Sequence, residues 1–178
     1  MVEKLVKDVD PSLKLIRECG YSDNIVLEVK RGKTLYILKM AYAGCPWGIK
    51  HLRNEVEILG LAHDVEGITH LVQQYDDVSW CASPMLKEYY HGEVANAKIR
   101  NPRAQKRLRR TVRDLHALGI ANIDVAWKNV VVAPSGDDAK IVDLGIGTVY
   151  NRAWGYVPYS TFRKMKAIDL RRLYRLFG

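Results

Sequence analysis

The stretch that decides the fold reads DLHALGIANIDVAWKNVVVAPSGDDAKIVDLG, from Asp114 to Gly145. Within it, Asp124 precedes Asn129 by five positions, and a β-branched run follows at once. A turn-forming segment, 135–138, separates this run from a second strand-like run, which ends at Asp143. The pattern therefore places an acid and an amide on one loop, and another acid at the end of the following hairpin.

This set of oxygen-bearing side chains suits phosphoryl transfer. That chemistry needs one carboxylate to orient the attacking hydroxyl, and further oxygen ligands to hold Mg²⁺. Asp124 is the candidate for the first task, and Asn129 and Asp143 are the candidates for the second. The spacing therefore indicates a phosphotransfer site on this loop and hairpin.

The order D-x-x-x-x-N followed by Asp-Leu-Gly resembles the catalytic loop and the metal-binding D-F-G of protein kinases. Asn122 stands at the position where the His of H-R-D is usual. The resemblance implies that Asp124 is the catalytic base and that Asn129 and Asp143 bind the metal. Lys128 matches the cation of the D-L-A-A-R-N loop of tyrosine kinases, which implies an assisting role at the γ-phosphate. A lysine that points into solvent is the alternative.

The chain upstream of this stretch extends the resemblance. Lys39 ends a strand-like run and is similar to the kinase lysine that contacts the α and β phosphates of ATP. Residues 46–63 carry apolar residues at helical spacing, and Glu55 lies on the inward edge of that stripe. The resemblance implies an ion pair between Lys39 and Glu55. Glu57 is the alternative partner.

Two further segments resemble parts of a kinase nucleotide site. Gly20 and Ser22 stand where kinases carry a glycine-rich phosphate loop, and an ordinary turn that leads into the first strand is the alternative. Glu88 and Tyr90 belong to a segment that resembles the hinge, whose backbone binds adenine. The expected cofactors are therefore ATP and Mg²⁺.

Together these segments predict an α+β, bilobal, protein-kinase-like fold. Residues 1–90 would form the first lobe, with a five-stranded antiparallel sheet and the αC helix. The strand-like runs are 25–29, 35–39, 71–75, 78–81 and 83–89. Residues 91–178 would form a reduced, mostly helical second lobe. No A-P-E sequence follows Asp143, so the chain resembles the atypical kinases, namely the RIO family and the small kinase of the KEOPS tRNA-modification complex.

Three other segments are helical in pattern. Residues 1–16 are loosely so. A second helix is expected to begin with Asn101 as its N-cap and to end at Gly119, a C′ glycine. The last helix contains Asp169, and the resemblance implies that this carboxylate braces the catalytic loop from below.

The composition of the chain narrows the classes of binding partner and the cellular compartment that are expected. The 178 residues carry a net charge of +8 at pH 7, which favours an acidic partner. Cations are concentrated from Lys98 to Arg113 and in the C-terminal basic helix, so RNA or another polyanion is a candidate partner, with a solvated helix face as the alternative. No apolar run is long enough to cross a membrane. The three cysteines share no metal spacing and fit free thiols of the cytoplasm.

The expected activity is ATP-dependent phosphotransfer. The simplest form is an atypical Ser/Thr protein kinase that acts on a protein substrate or on itself. An ATPase, a pseudokinase module of a nucleic-acid-associated complex and a small-molecule kinase stay open as alternatives. The sequence carries no signal of oligomeric state.

Overall fold

The computed structural model describes three ranges of the chain: 2–21, 23–150 and 157–178. The chain divides into two compact units. The first joins Met1–Val56 to His70–Tyr89, and the second joins Glu57–Thr69 to Tyr90–Gly178. Residues 57 to 69, expected in the first lobe, therefore group with the second unit.

The first unit is built on a five-stranded antiparallel sheet. Its strands are β1 (Lys14–Tyr21), β2 (Asn24–Arg31), β3 (Thr34–Tyr42), β4 (Leu71–Gln74) and β5 (Cys81–Glu88). They are ordered β1-β2-β3-β5-β4. Gly32, in the tight turn between β2 and β3, has a φ of +60°, a conformation that favours glycine. The α+β class and the five-stranded antiparallel sheet predicted from the sequence are confirmed, with four of the five expected strands in it.

The first strand differs from the prediction. Residues 1–16 were expected to be helical, but helix α1 covers only Val2–Val9 and β1 begins at Lys14. Most residues of β1 are exposed, so no alternation of buried apolar residues marks it in the sequence. Val78 forms only an isolated bridge with Cys81. The expected strand at 78–81 is therefore wrong, and β1 supplies the fifth strand instead.

Two apolar clusters hold the first unit together. The larger one joins α1 to the sheet and comprises Leu5, Val6, Leu13, Ile25, Leu27, Val29, Leu38, Met40, Cys81 and Leu86. In the smaller one, Leu52 of helix α2 (Pro46–Leu61) packs with Ala41 of β3 and Met85 of β5. Because Glu55 follows Leu52 by three positions, it lies on the same face of α2. This packing directs Glu55 toward β3 and β5.

The second unit contains two long helices, α3 (Pro102–Ala117) and α4 (Tyr159–Phe177). Its short strands are β6 (Glu93–Val94), β7 (Ile120–Ala121), β8 (Val130–Val132), β9 (Ala139–Ile141) and β10 (Thr148–Val149). Helix α3 begins as predicted, because Oδ1 of Asn101 accepts a hydrogen bond from Arg103 N at 2.9 Å. Gly119, just after its end, has a φ of +77°, as a C′ glycine requires.

The segment 57–69 packs closely on α3, which explains its place in the second unit. A Cβ atom at Gly67 would lie 1.7 Å from Oγ1 of Thr111, so only glycine fits there. The carbonyl of Gly67 also accepts a hydrogen bond from Ile141 N at 2.9 Å. Among the described residues, no helix has the length and apolar character needed to cross a membrane.

Candidate active site

The predicted site residues fall into two groups, one in each compact unit. Gly20, Lys39, Glu55 and Glu88 belong to the first unit. Tyr90, Asp124, Lys128, Asn129 and Asp143 belong to the second unit. Ser22 lies outside the described residues.

Lys39 and Glu55 form a buried ion pair. Nζ of Lys39 lies 2.6 Å from Oε2 of Glu55, and the two side chains are 4% and 0% exposed. Glu57, the alternative partner, is only partly buried and belongs to the second unit. A buried carboxylate requires a cation, so the structure brings together the two residues that the resemblance links.

A second buried lysine shares the same carboxylate. Nζ of Lys87 lies 2.5 Å from Oε1 of Glu55, and the Lys87 side chain is 2% exposed. Lys39 pairs with Met85 across β3 and β5, so Lys39 and Lys87 occupy diagonal positions on one face of the sheet. Lys87 stands beside the expected hinge, where its sequence context is that of an ordinary strand-end lysine. Only the packing of α2 on this face reveals its partner.

Gly20 and Glu88 both belong to strands of the first unit. Gly20 was predicted to belong to a phosphate loop, with a turn before the first strand as the alternative, and it lies inside β1, opposite Val26. A Cβ atom there would meet nothing within 4 Å, so the fold does not require a glycine at this position. Glu88 ends β5, and its backbone N–H donates to the carbonyl of His70 at 2.9 Å.

Asp124 lies on a tightly closed loop between β7 and β8. Its φ is +44° and that of Asn122 is +57°, left-handed conformations that non-glycine residues rarely adopt. The amide Nδ2 of Asn129 donates to the backbone oxygen and to Oδ2 of Asp124, each at 3.0 Å. Each such conformation costs about 1–3 kcal/mol, and such strain concentrates at functional sites. The loop therefore holds the Asp124 carboxylate in one orientation.

Asp169 of α4 braces this loop. Its fully buried carboxylate accepts hydrogen bonds from Asn122 N at 2.8 Å and Ile123 N at 3.1 Å. Nε2 of His116 lies 3.0 Å from Oδ2 of Asp169. Since a carboxylate only accepts, Nε2 carries the proton. His116 of α3 thus contacts Asp169. The sequence analysis missed His116, because the kinase pattern expects a His only at the position of Asn122.

Two cations also approach the Asp124 carboxylate. Nη1 of Arg172 lies 3.2 Å from Oδ1, and Nζ of Lys128 lies 3.8 Å from Oδ2. The Lys128 side chain is 78% exposed. The Arg172 nitrogen is buried but makes no well-aligned hydrogen bond within the described residues, so its contact is an ion pair only. Arg172 follows Asp169 by three positions on α4, and this helical spacing could have identified it.

Asn129 and Asp143 lie at the same end of the β8–β9 hairpin. Val130 pairs with Ile141, and Val142 N donates to the carbonyl of Asn129 at 2.9 Å. Asp143 follows directly, and its Oδ1 accepts from Gly145 N at 2.9 Å. Because Nδ2 of Asn129 already donates to Asp124, its amide oxygen is the atom that can bind a cation.

This donor set fits Mg²⁺, which prefers carboxylate and amide oxygens and keeps several of its waters. Within ranges 2–21, 23–150 and 157–178, no cluster of three or more His, Cys, Asp or Glu side chains could hold a metal ion. A metal at this hairpin would therefore depend on the Asn129 amide beside the Asp143 carboxylate.

The side chain of Tyr90 has a structural partner. Its hydroxyl donates to Oδ2 of Asp138 at 2.9 Å, and Nζ of Lys140 lies 5.2 Å from its ring centre. Burial raises the pKa of Tyr90 above its ordinary value, and the bond to Asp138 raises it further. Tyr90 therefore anchors the turn between β8 and β9, and only its backbone is suited to contact a nucleotide base.

Comparisons with known proteins identify the fold. No protein-family model and no curated protein sequence matches the chain. Among solved structures, the kinase PK-1 of the Cydia pomonella granulovirus is similar, with a TM-score of 0.63 and 13% sequence identity. The match covers 84% of this chain and 59% of that chain, so this chain spans less than two thirds of the viral kinase. The chain therefore has a protein-kinase-like fold.

Proposed function

We propose that this chain is an ATP-dependent phosphotransferase of the atypical protein-kinase type. It would transfer the γ-phosphate to a Ser or Thr hydroxyl of a protein substrate, or to one of its own. The observation that carries the proposal is the braced loop: Asp169 fixes the backbone at Asn122 and Ile123, and Asn129 fixes the carboxylate of Asp124. A fold that needed no catalytic acid would have little reason to hold Asp124 in a strained conformation.

Each residue has a separate task in this proposal. Asp124 orients the acceptor hydroxyl and takes up its proton. Asn129 and Asp143 would hold Mg²⁺, which supplies charge neutralisation at the phosphates when bound. Lys39, fixed by Glu55, binds the α and β phosphates. Exposed Lys128, 3.8 Å from Asp124, offsets the charge of the transferred group.

Adenine would be bound by backbone groups of Glu88 and Tyr90. The side chain of Tyr90 is engaged by Asp138, which supports a backbone role. Gly20 and Ser22 would contact the phosphates of ATP. This part of the proposal rests only on their position in the sequence, where kinases carry a glycine-rich loop. The similarity to the RIO family and to the small kinase of the KEOPS complex likewise rests on the sequence and stays a prediction.

The alternatives differ in their fit to these observations. A small-molecule kinase for cationic substrates needs an acidic pocket, whereas Arg172 and Lys128 surround Asp124 with positive charge. A pseudokinase has no use for Asp124, Asn129 and Asp143 in this arrangement. An ATPase would use the same residues, and only the fate of the phosphate distinguishes it.

Labelled phosphate tests the proposal. The protein is incubated with Mg²⁺ and ATP labelled at the γ-phosphate, and label is measured on protein and as free phosphate. We expect label on protein, and its loss in Asp143→Ala, since the metal ligand is removed. The matched control Asp137→Ala, an acid on the nearby turn, should retain transfer. Label found only as free phosphate would favour an ATPase, and no release at all would favour a pseudokinase.

RNA binding is a second candidate function, and one contact favours it. Arg109 of α3 lies 5.8 Å and 5.0 Å from the ring centres of Tyr174 and Phe177 of α4. Tyr174 remains 58% exposed beside this cation, an arrangement suited to stacking with single-stranded bases. Other arginines of α3 pair with acids and are less available to phosphate: Arg103, Arg107, Arg110 and Arg113.

Salt dependence tests this second function. Binding of single-stranded RNA should weaken steeply between about 50 and 200 mM salt, because phosphate contacts release counterions. Tyr174→Ala should weaken it at both salt concentrations, whereas Tyr159→Ala, an exposed tyrosine at the start of α4, should not. Absence of binding at the lower salt removes RNA as a partner and leaves the phosphotransferase proposal untouched.

The compartment proposed for the protein is the cytoplasm. Cys19, Cys45 and Cys81 are free thiols. Free thiols are usual in reducing compartments. This proposal is independent of the phosphotransfer chemistry.

A further inference from the structure

We propose that Lys87 is a positioning residue for nucleotide binding: it holds Glu55 while Lys39 engages the phosphates of ATP. This inference rests on the proposed function of Lys39. Lys87 has no counterpart among the kinase sequence features that mark Lys39 and Glu55. Its role follows from three buried side chains in the first unit.

The geometry gives each oxygen of Glu55 its own ammonium group. Lys39 contacts Oε2 at 2.6 Å and Lys87 contacts Oε1 at 2.5 Å. The three side chains are almost completely buried, so water screens their charges little. Lys39 and Lys87 project from the same sheet face at diagonal positions of β3 and β5. The Glu55 carboxylate therefore joins two strands to α2 through two separate contacts.

This arrangement matters when Lys39 turns toward a phosphate. With one lysine alone, the buried carboxylate would lose a cation at that moment, and burying a charge without a partner is costly. Lys87 stays on Oε1, so Glu55 keeps a cation throughout. Lys87 thereby lowers the cost of phosphate binding by Lys39, and it acts through Glu55 rather than by touching the nucleotide.

A purely structural role explains Lys87 less well. Replacing buried ionic groups by apolar residues of similar volume is often neutral or stabilising. Met85, two positions earlier on the same face, shows that an apolar side chain fits this surface. A third buried charge beside Lys39 adds a desolvation cost and a repulsion between like charges. These costs are justified if the second lysine serves ligand binding.

A double-mutant cycle on nucleotide affinity tests the inference. Binding of a fluorescent ATP analogue with Mg²⁺ is measured for the wild type, Lys87→Met, Lys39→Met and the double variant. We expect Lys87→Met to weaken binding about tenfold, the change given by about 1.4 kcal/mol. In the Lys39→Met background it should have little further effect on affinity, because Lys39 is then no longer there to bind the phosphates while Lys87 holds Glu55. Lys87→Arg, which keeps the charge, should restore part of the affinity, and the exposed control Lys33→Met should bind as the wild type does.

The outcomes separate the inference from the proposed function. Equal affinity of Lys87→Met and wild type would overturn the inference, and so would an equal loss in both backgrounds, which marks a general structural defect. If the wild type itself binds no ATP, the proposed function fails. Amide hydrogen exchange of residues 46–56 then tests separately whether Lys87 holds Glu55 in place. Faster exchange in Lys87→Met than in Lys33→Met supports the hold on Glu55. Unchanged exchange refutes it.

Discussion

The two regions that carry the candidate chemistry are held together by different forces. In the first unit, Lys39, Glu55 and Lys87 are fixed by burial and by direct ion pairs between β3, β5 and α2. In the second unit, Asp124 is fixed by hydrogen bonds that involve the backbone, and by the brace of Asp169. The first region depends on charge balance in a low-dielectric interior, whereas the second depends on backbone geometry.

This difference predicts different responses to mutation. Removing the charge of Glu55 from the first region should act strongly on stability, because two buried ammonium groups then lose their partner. Removing the acid from the second region should act mainly on rate, because Asp124 is partly exposed and its loop has other hydrogen bonds.

The largest stability effect is expected for Glu55→Gln. The variant removes the negative charge that two buried ammonium groups contact, and breaking a buried pair in this way costs about 3–5 kcal/mol. Urea unfolding followed by circular dichroism measures the loss. Glu57→Gln, two positions along the same helix, is the matched control and should cost much less. A larger loss in the control would mean that the wrong glutamate has been placed at the centre of this region.

A smaller stability effect, joined to a rate effect, is expected for Asp169→Ala. The variant leaves the buried N–H of Ile123 without its acceptor, at about 1–3 kcal/mol, whereas the N–H of Asn122 is only partly buried. Because the loop then loosens around Asp124, kcat should fall more than the ATP KM rises. Asp169→Asn keeps one acceptor oxygen and should show a milder form of both effects. Unchanged kcat in a folded Asp169→Ala protein would contradict the bracing role.

The smallest expected effect is a loss of folding stability at low pH. It comes from Asp10 and its hydrogen-bond partners, which are distant in sequence from the candidate catalytic residues. Burial alone would raise the pKa of Asp10, but hydrogen bonds from Ser12, Arg31 and Tyr75 outweigh it and lower the pKa from 3.8 to about 2. A depressed pKa in the folded state contributes stability above the ordinary pKa, and that stability is lost as the pH falls from near 4 to 2. The contribution is about 1–2 kcal/mol.

Thermal unfolding of Asp10→Asn measures this contribution. The variant should be less stable than the wild type at pH 6, and the difference should shrink toward pH 2. Asp8→Asn, an acid on α1, is the matched control. A difference between wild type and Asp10→Asn that persists unchanged at pH 2 would show that the hydrogen bonds of Asp10 do not depend on its charge.

The features that were visible in the sequence are local ones. The N-cap Asn101, the C′ glycine Gly119 and the helix from Pro46 all follow from short-range rules of capping and periodicity. The spacing of Asp124, Asn129 and Asp143 is likewise contained in one hairpin and the loop before it. A loop and a hairpin of this length bring their own residues together, so spacing alone is informative.

The features that were missed depend on contacts between distant parts of the chain. In the sequence, Lys87 looks like an ordinary strand-end lysine, and only the packing of α2 on β5 brings Glu55 to it. His116 looks like an ordinary polar residue of α3, and only the packing of α4 brings Asp169 to it. Strand β1 carries little apolar alternation, because it is an exposed edge strand held by its pairing with β2. Tertiary contacts, rather than local propensity, decide these three features.

The most direct test of the account is a single-turnover measurement of γ-phosphate transfer at saturating Mg²⁺ and ATP. The wild type, Asp124→Asn and the control Asp137→Asn are compared, and ATP affinity is measured in parallel. We predict that Asp124→Asn retains its fold and its ATP affinity but transfers phosphate about 10²–10⁴ times more slowly, as expected for loss of a positioned base. Transfer at the wild-type rate by Asp124→Asn would contradict the central claim that this loop is the catalytic centre.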